Sequence, residues 1–446
     1  MTSVSLSRRF ALLALLASSL WLAGCGGKGG GGNGTTNIRA INLTSDLASA
    51  DLYANDGKQF GALTPDTLAP GVSLESNTYT LTVKPAGDST VLFTGSYSLS
   101  KDQSYAAVVW GRQSALRVST LGESEDPANV ADTDSRIRIL NATLDSGTFD
   151  IYVTAPDVNP ADVPPVQSAL TGGSLSGFRT LPATSYRIRV TGAGNPDDVR
   201  LDMPTVALAA KSFNTLVITP AGTGGVLLNG TVIQQGSVTP VSVKNTQARV
   251  RVAASVIGGG VVAAKVGTLS LLNATTSPRI GLTAGSYKQV TAGSVPLTVQ
   301  VNGTILPSAG NSTLTAGADY TLLVYGPAAS PSVQLIPDDN RLPNVSTRAK
   351  IRLVNGLSGT ALLSAVISGS TNSNTTDVAS ASASPYINVA AVGSTRLDVF
   401  SSETFTPLFT QQVTTSGQNL LSASGVYTVF MLDGASAPAG FWVTDR

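Results

Sequence analysis

The side chains that could carry out chemistry in this chain are of few types. Its 446 residues include no histidine and a single cysteine, Cys25. Histidine-based acid–base catalysis, a Ser-His-Asp triad and metal sites built from imidazoles or several thiolates are therefore excluded. Carboxylates and the one thiol remain, and their positions decide what chemistry is open to the chain.

The densest group of carboxylates lies in residues 123–134. Calcium binds six to eight oxygen ligands and can stiffen a junction between domains, so this segment is a weak calcium candidate. It lacks the DxDxDG spacing of a tight calcium loop, however, and a solvated linker is the simpler interpretation. We therefore predict no metal and no cofactor, with calcium as the alternative. The acidic residues concerned are Glu123, Glu125, Asp126, Asp132 and Asp134.

Two further features bear on sugars. Asp197 and Asp198 are adjacent in a polar turn, whereas a glycosidase needs two carboxylates ~5–9 Å apart that flank the bond. Trp110 could stack on a sugar, but it continues an apolar strand and is expected in the core or between domains. We predict that the chain is not an enzyme, and a histidine-free hydrolase ranks third among the hypotheses.

Cys25 ends a segment with the features of a secretion leader. Two arginines precede an apolar run over residues 10–20. That run is shorter than the ~20 residues needed to span a bilayer and suits a signal peptide. The Leu-Ala-Gly-Cys at 22–25 resembles the lipobox of bacterial lipoproteins, which implies cleavage between Gly24 and Cys25 and a diacylglycerol on the thiol. An ordinary signal peptide with an incidental cysteine is the alternative.

The residues after Cys25 predict a tether and an address. Residues 26–34 are glycine-rich and would form a flexible link between lipid and folded chain. Gly26 is not the aspartate associated with inner-membrane retention, so we predict a lipid-anchored protein of the outer membrane. Whether it faces the periplasm or the cell surface stays open.

Charge excludes another class of partner. Charged residues make up 12% of the sequence, and without Arg8 and Arg9 the chain has 26 basic and 27 acidic residues. Such a balance gives no strong attraction to nucleic acid or to anionic lipid. The expected partners are therefore the membrane, through the lipid, and an envelope protein or a glycan.

A strand motif with a central arginine occurs four times. Arg39, Arg138, Arg251 and Arg352 each follow Ile or Val in an alternating apolar segment, and they are 99, 113 and 101 residues apart. Alternation with period two is typical of a half-buried strand. These arginines are expected on a solvent-facing surface or paired with a carboxylate such as Asp51 or Asp150.

Further strands recur in the same order after each arginine. A late strand begins with an aromatic residue in every unit, about seven short strands are separated by Gly, Pro, Asn and Asp, and helical periodicity is missing. This is typical of an all-β fold of tandem immunoglobulin-like antiparallel β-sandwiches. Short linkers containing proline predict a semi-rigid rod or two closely packed pairs. We predict a signal peptide at 1–24, a lipidated cysteine and tether at 25–36, and sandwiches at 37–134, 135–247, 248–347 and 348–446.

The first two units carry a recognisable combination of motifs. An Ile-Arg-x-x-Asn opening is followed by Asp-Leu/Ile-Tyr and then by Tyr-x-Leu/Ile-x-Val. This combination resembles a family of bacterial exported repeats known as domain-of-unknown-function family 4397. The resemblance implies a β-sandwich on secreted or lipid-anchored proteins, without an established activity and without catalytic residues. The residues that carry it are Arg39, Asn42, Asp51 and Tyr53 in unit 1, and Arg138, Asn141, Asp150 and Tyr152 in unit 2.

Two classes of function are carried forward. The first is a non-enzymatic, lipid-anchored cell-envelope protein that acts as a spacer or interaction scaffold. The alternative is a carbohydrate- or glycan-binding surface module, which needs exposed aromatic side chains on one face. A structure separates the two by showing where the aromatic residues lie.

Overall fold

The computed structural model describes residues 34–222, 224–280, 287–307, 310–359, 361–368, 373–391, 395–413 and 421–446. The predicted leader and Cys25 lie outside the described residues. The described part contains 36 strands and no α-helix, which confirms the all-β prediction. None of its helices is long and apolar enough to cross a membrane. Its short 3-10 helices are Gln113–Ala115, Pro127–Asn129 and Pro160–Asp162.

Unit 1 is a sandwich of two four-stranded sheets. Its inner sheet, defined here as the sheet that contains the strand with the repeated arginine, has the order β4-β1-β7-β8. Its outer sheet has the order β3-β2-β5-β6. The strands are β1 (Thr35–Thr44), β2 (Ala50–Ala54), β3 (Gly57–Leu63), β4 (Leu68–Glu75), β5 (Asn77–Pro85), β6 (Phe93–Leu99), β7 (Ser104–Gly111) and β8 (Arg117–Gly122).

Unit 2 repeats this arrangement with one extra edge strand. The inner sheet has the order β12-β9-β15-β16-β17 and the outer sheet β11-β10-β13-β14. The strands are β9 (Asp134–Asn141), β10 (Phe149–Thr154), β11 (Gln167–Leu170), β12 (Arg179–Pro182), β13 (Ser185–Gly192), β14 (Val199–Ala207), β15 (Phe213–Pro220), β16 (Leu228–Gln234) and β17 (Val241–Val243).

Unit 3 has the same order with two of its edge strands divided. The inner sheet is β21-β18-β26-β27 with β22 also on β18, and the outer sheet is β20-β19-β23-β24 with β25 also on β23. The strands are β18 (Gln247–Ile257), β19 (Val261–Val266), β20 (Leu269–Thr276), β21 (Arg279–Ile280), β22 (Lys288–Thr291), β23 (Gly293–Val301), β24 (Thr304–Ile305), β25 (Asn311–Leu314), β26 (Asp319–Pro327) and β27 (Ser332–Asp338).

Unit 4 has the same strand order as the other units. The inner sheet is β31-β28-β35-β36 with β32 also on β28, and the outer sheet is β30-β29-β33-β34. The strands are β28 (Arg348–Gly356), β29 (Leu363–Ser368), β30 (Ser373–Val378), β31 (Ser382–Ala383), β32 (Ile387–Ala390), β33 (Thr395–Ser401), β34 (Pro407–Val413), β35 (Val426–Leu432) and β36 (Ala439–Thr444).

Each inner sheet contains one parallel pair, which refines the antiparallel expectation. The first strand runs parallel to the late aromatic strand in all four units: β1 with β7, β9 with β15, β18 with β26 and β28 with β35. Several strands intervene between the two members of each pair, so the chain has the long crossover that parallel neighbours require. The alternation of side chains is the same for either direction, and therefore it could not reveal this pairing.

Every unit has its own hydrophobic core between its two sheets. In unit 1, for example, Ile38 of the inner sheet and Leu52 of the outer sheet belong to one buried cluster. The first strand is buried on its other face too: Ile41 and Leu43 of β1 are also covered. A strand buried on both faces of a sandwich must be covered by a neighbouring unit.

The inner sheets pack against each other in pairs. One buried cluster joins Trp110 and Val108 of unit 1 to Leu140 and Val217 of unit 2. A second joins units 3 and 4 in the same way and includes Ala253, Leu323, Val354 and Phe430. The structure therefore shows two closely packed pairs, referred to below as the 1·2 interface and the 3·4 interface.

Candidate functional site

The four repeated arginines lie on the inner sheets, on the faces that meet the neighbouring unit. Arg251 and Arg352 are 1% and 3% exposed, and Arg39 is 8% exposed. The expectation of a solvent-facing surface is wrong for these three, whereas Arg138 is partly exposed. Alternation predicts which residues share a face of a strand, but it does not predict that a second unit covers that face.

Asp51 and Asp150, the example partners, do not pair with the arginines, although Arg39, Arg251 and Arg352 each pair with another carboxylate. Asp51 lies on the outer sheet, where it pairs with Lys58 at 2.6 Å and accepts a hydrogen bond from the Ala62 N–H. Asp150 accepts from the N–H groups of Ala169 and Gly194. The arginine and the aspartate belong to opposite sheets of one sandwich, so the hydrophobic core separates them.

Arg251 is bound at the 3·4 interface by groups from both units. Its Nε donates to Thr321 Oγ1 of its own unit at 2.8 Å. Its Nη1 crosses the interface and donates to the carboxylate of Asp445, directly after the last strand of unit 4. The guanidinium also lies over the ring of Tyr287, 4.7 Å from the centroid.

Arg352 repeats this arrangement from the opposite side. Its Nε donates to Thr428 Oγ1 of its own unit at 3.2 Å, and its Nη2 donates to Asp338 at the end of β27 in unit 3. The guanidinium lies 4.9 Å from the centroid of the Tyr386 ring. The two units therefore exchange arginine–aspartate pairs across the interface, and the pattern has approximate two-fold symmetry.

The carboxylate of Asp338 in this cluster accepts hydrogen bonds from several donors. Asp338 accepts from Arg352, from Tyr287 Oη at 2.6 Å and from Thr321 Oγ1 at 2.7 Å, and Arg251 Nε lies 3.6 Å away. Burial alone would raise the pKa of Asp338, but Arg352 and Arg251 lower it below its ordinary value. A carboxylate held ionised in this way acts as a structural anion and not as a general acid.

The 1·2 interface has the same plan with fewer charges. Arg39 pairs with Glu123 of its own unit, with Nε 2.6 Å from Oε2, and it also donates to the carbonyl oxygens of Gln234 and Ser237 in unit 2. Arg138 donates to Thr215 Oγ1 and to the Gly122 carbonyl of unit 1. The repeated arginines of this interface therefore reach backbone carbonyls across the boundary, where those of the 3·4 interface reach aspartates, although a different arginine, Arg112 of unit 1, pairs with Asp145 of unit 2.

A second position of the first strand differs between units 3 and 4. Arg249 lies opposite Asp319 in the parallel pair β18·β26, and Arg249 Nε donates to Asp319 Oδ1 at 2.8 Å. Lys350 occupies the equivalent position in β28, but it lies opposite Val426. Its ammonium instead reaches Asp339 Oδ1 at 3.2 Å. Burial, opposed by Asp339, lowers the pKa of Lys350 to about 8.

Lys350 lines a cavity of about 530 Å³, here named the junction cavity. Its walls come from units 1, 2 and 4 and from the segment that joins units 3 and 4. Asp145 of this wall pairs with Arg112 at 2.8 Å, and Asp339 pairs with Arg341 at 2.7 Å. Although burial opposes it, the Arg341 and Lys350 charges lower the pKa of Asp339 to about 2. The charged lining residues are Arg112, Arg117, Asp145, Asp339, Arg341 and Lys350.

A second cavity, of about 480 Å³, lies between the pairs beside Arg446. The Arg446 guanidinium donates to the carbonyl oxygens of Asp145, Ser146 and Asn340. Burial and the nearby Arg200 and Arg249 lower the pKa of this guanidinium. Arg446 thus joins the last strand of unit 4 to unit 2 through backbone acceptors.

The structure does not bring the acidic segment together as a calcium site. Glu123 forms an ion pair with Arg39, and Asp132 forms one with Lys211. The Asp126 carboxylate accepts a hydrogen bond from the Ala128 N–H. Asp134 accepts from Thr133, and Glu125 contacts Gln235 through its backbone. In the described ranges no group of three or more His, Cys, Asp or Glu side chains is arranged to hold a metal ion.

The predicted aromatic and asparagine residues have structural roles. Trp110 is buried in the 1·2 interface, and its Nε1 donates to Ser119 Oγ. Asn42 is buried near the end of β1, where its amide donates to the carbonyls of Leu47 and Leu63 and its oxygen accepts from the Thr44 N–H. Asp198 of the polar turn is paired with Arg200.

Sequence reasoning missed the acidic partners of the arginines, although a repeated spacing marks them. Tyr105, Tyr320 and Tyr427, which open the late strands, are each followed 18 residues later by an acidic residue. A late strand and the final strand form a hairpin, so this spacing returns the chain to the level of the first-strand arginine. The acidic residues are Glu123, Asp338 and Asp445.

Comparison with known families agrees with the motifs of the first unit. Residues 36–152 match the family model described as "Domain of unknown function (DUF4397)". The predicted resemblance is confirmed over this stretch, which runs from the first strand of unit 1 to the second strand of unit 2. None of the curated proteins compared matches the chain.

Solved structures give only distant likenesses. The family CBM26 domain CBMbc from Eubacterium rectale Amy13K, in complex with maltoheptaose, is 15% identical with a TM-score of 0.16, and the match covers 47% of this chain and 96% of that one. A protein from Bacteroides uniformis described as a candidate cell adhesion protein is 11% identical with a TM-score of 0.21, over 46% and 98%. The Bacillus anthracis TIE protein is 10% identical with a TM-score of 0.14, over 65% and 50%.

Proposed function

We propose that this protein is a non-catalytic interaction scaffold of the bacterial cell envelope, held to the outer membrane by lipid on Cys25. The observation that carries the scaffold role is the pairing of inner sheets, each pair joined by a buried apolar cluster and by arginines that cross between units. Contacts of this kind hold neighbouring sandwiches at fixed angles. The unpaired outer sheets then form surfaces for a partner.

The carboxylates support a non-catalytic role. Asp145 and Asp339 face the junction cavity, but each is paired with an arginine. A general acid for glycoside hydrolysis needs a raised pKa, whereas that of Asp339 is lowered to about 2. This arrangement gives no support to the histidine-free hydrolase.

The two tryptophans in the described part of the chain favour the scaffold over the glycan-binding alternative. A sugar platform needs exposed rings on one face. Trp110 is buried between units 1 and 2, and Trp442 packs on Tyr427 with 5.1 Å between ring centroids. These side chains stabilise the fold and its interfaces.

The proposed lipid anchor and outer-membrane location are tested by changing residues at Cys25 and in the tether of the full chain in its own cells. We expect Cys25→Ser to abolish labelling by a palmitate analogue and to release the protein from the membrane fraction. Gly26→Asp should retain the label but move the protein to the inner membrane. Asn33→Asp, which adds the same charge farther along the tether, is the matched control. Membrane association that survives Cys25→Ser would overturn the anchor.

The role is tested by affinity capture from envelope extract with the detergent-solubilised full chain, in parallel with a glycan array. We expect recovery of a protein partner that is competed by excess untagged chain. Saturable binding to neutral glycans without any protein partner would overturn the scaffold and favour the alternative.

A further inference from the structure

The junction cavity has an excess of positive charge in its lining. Four cationic side chains and two carboxylates line it. Both carboxylates already have partners: Asp145 pairs with Arg112, and Asp339 is shared by Arg341 and Lys350. A partly enclosed site with unbalanced cations attracts anions more strongly than open solvent does.

Among the four cations of the lining, Lys350 is the one whose pKa is lowered by burial. Its residue is 6% exposed, and it has lost the in-register carboxylate that Asp319 gives to Arg249 in unit 3. Asp339 and Asp145 favour its charge, while burial and Arg341 oppose it. Its ammonium also lies 4.6 Å from the centroid of the Tyr386 ring. Lys350 shares Asp339 with Arg341, so an added anion would supply a second negative charge for these two cations.

Two buried polar atoms in the wall also lack a partner. Arg112 Nη2 and Tyr386 Oη form no hydrogen bond to any of the described residues. Arg112 as a whole is 7% exposed. A buried donor without an acceptor is unfavourable, and a hydrogen bond to a ligand oxygen would remove that penalty. Both atoms belong to residues that line the cavity.

We propose that the junction cavity binds a small organic oxyanion of about the size of an acidic monosaccharide, held by Lys350, Arg341 and Arg112. The volume of about 530 Å³ lies within the range of small-molecule sites and is too small for a protein segment with a fold of its own. Arginine forks and an ammonium are the groups that bind carboxylates and phosphates. Asn388 in the lining adds an amide suited to sugar hydroxyls. This site is separate from the scaffold role and does not depend on it.

The test is isothermal titration of the full chain in detergent with three sugars of similar size. Glucose 6-phosphate and glucuronate carry the two kinds of acid, and glucose carries none. We expect one or both acids to bind and glucose not to bind, and the tighter acid identifies the oxyanion. Failure of both acids, or equal binding of glucose, would overturn the proposal.

Single substitutions assign the binding to this cavity. Lys350→Gln and Arg341→Gln should each weaken binding by roughly 10- to 100-fold, since a hydrogen bond to a charged group contributes about 1.5–3 kcal/mol. Arg396→Gln removes a cation of unit 4 that is paired with Asp398 outside the cavity, and should leave affinity unchanged. Thermal unfolding of each variant checks that it is folded. Equal affinity in all three variants would place the anion elsewhere and overturn the assignment.

The pH dependence adds a readout that a structural role for Lys350 would not change. The pKa of Lys350 is lowered to about 8. Above that pH, wild-type affinity should fall by about tenfold per pH unit, because the ammonium must be protonated to bind. This slope should disappear in Lys350→Gln. An unchanged slope in the variant would contradict a direct contact between Lys350 and the anion.

Discussion

The 1·2 and 3·4 interfaces use one geometry with different chemistry. Both pair the inner sheets of neighbouring sandwiches and place a first-strand arginine from each unit between them. In the 3·4 interface the arginines reach Asp445 and Asp338 across the boundary. In the 1·2 interface they reach carbonyl oxygens, and Trp110 adds a large apolar surface.

This difference indicates that the arginine is the constant part of the repeat and its acceptor the variable part. A guanidinium has five donors in a fixed plane, so carbonyls or a carboxylate can satisfy it at the same place. The two solutions respond differently to mutation. An aspartate whose removal leaves a buried arginine without its ion-pair partner is expensive to lose, whereas an arginine with several carbonyl acceptors tolerates the loss of one partner.

The largest effect is expected for Asp338→Ala. This change leaves Arg352 and Arg251 without a shared buried anion, and breaking a buried pair from one side costs about 3–5 kcal/mol. Urea unfolding of the full chain should show this loss in the transition that includes units 3 and 4. Asp398→Ala, which breaks an exposed pair with Arg396, should cost less than about 1 kcal/mol. Equal losses would show that the buried cluster does not stabilise the 3·4 interface.

Trp110→Ala should give the next largest effect, in the 1·2 interface. Removing a buried indole costs about 3 kcal/mol or more through lost packing and a cavity. Tyr325 of unit 3 is the equivalent of Trp110, since each follows the tyrosine that opens its late strand by five residues. Tyr325 is only partly buried against the apolar cluster of the 3·4 interface. Tyr325→Ala should therefore cost less in the same urea assay. The reverse order would contradict a larger contribution of the aromatic side chain to the 1·2 interface than to the 3·4 interface.

Glu123→Gln should have a smaller effect than Asp338→Ala. Arg39 keeps the carbonyl acceptors of Gln234 and Ser237 when it loses the carboxylate. We expect a loss of about 1–2 kcal/mol, in the range of a hydrogen bond to a charged group. Glu125→Gln, two residues later on an exposed side chain, is the matched control and should change stability by less than about 0.5 kcal/mol. A loss as large as that for Asp338→Ala would remove the distinction between the interfaces.

The sequence predicted the positions of the strands far better than it predicted which strands pair or pack together. Alternation of apolar residues around Arg39 and Arg138 identified β1 and β9, and the resemblance to family 4397 pointed to the same two units. Alternation is a property of one strand, so it contains no information on parallel pairing with β7 or on a second covered face. Strands of two residues, such as β24 and β31, are too short to show any period.

The arginine–aspartate cluster of the 3·4 interface depends on contacts between residues far apart in the chain. Arg251 and Asp445 are 194 residues apart, and no local pattern connects them. The 18-residue spacing from each late-strand tyrosine to an acidic residue was present in the sequence, but its meaning depends on knowing that inner sheets face each other. The junction cavity requires several units to meet, which local patterns do not encode.

The smallest expected effect concerns Lys350, whose equivalent in the other unit of the pair, Arg249, has its own aspartate. Burial lowers the pKa of Lys350 from 10.5 in the unfolded chain to about 8 in the fold. Between these pH values the unfolded chain holds a proton that the folded chain has released, so this group makes the free energy of unfolding rise with pH. From pH 8 to pH 9 the gain is about 1 kcal/mol, and the destabilisation is fully present below pH 8. Lys350→Met should remove this rise while Arg396→Met retains it, and urea unfolding at both pH values measures the difference. If the Lys350→Met chain still gains stability over this range, the rise does not come from Lys350. The absence of a carboxylate opposite Lys350, where unit 3 has Asp319 opposite Arg249, would then have no energetic consequence.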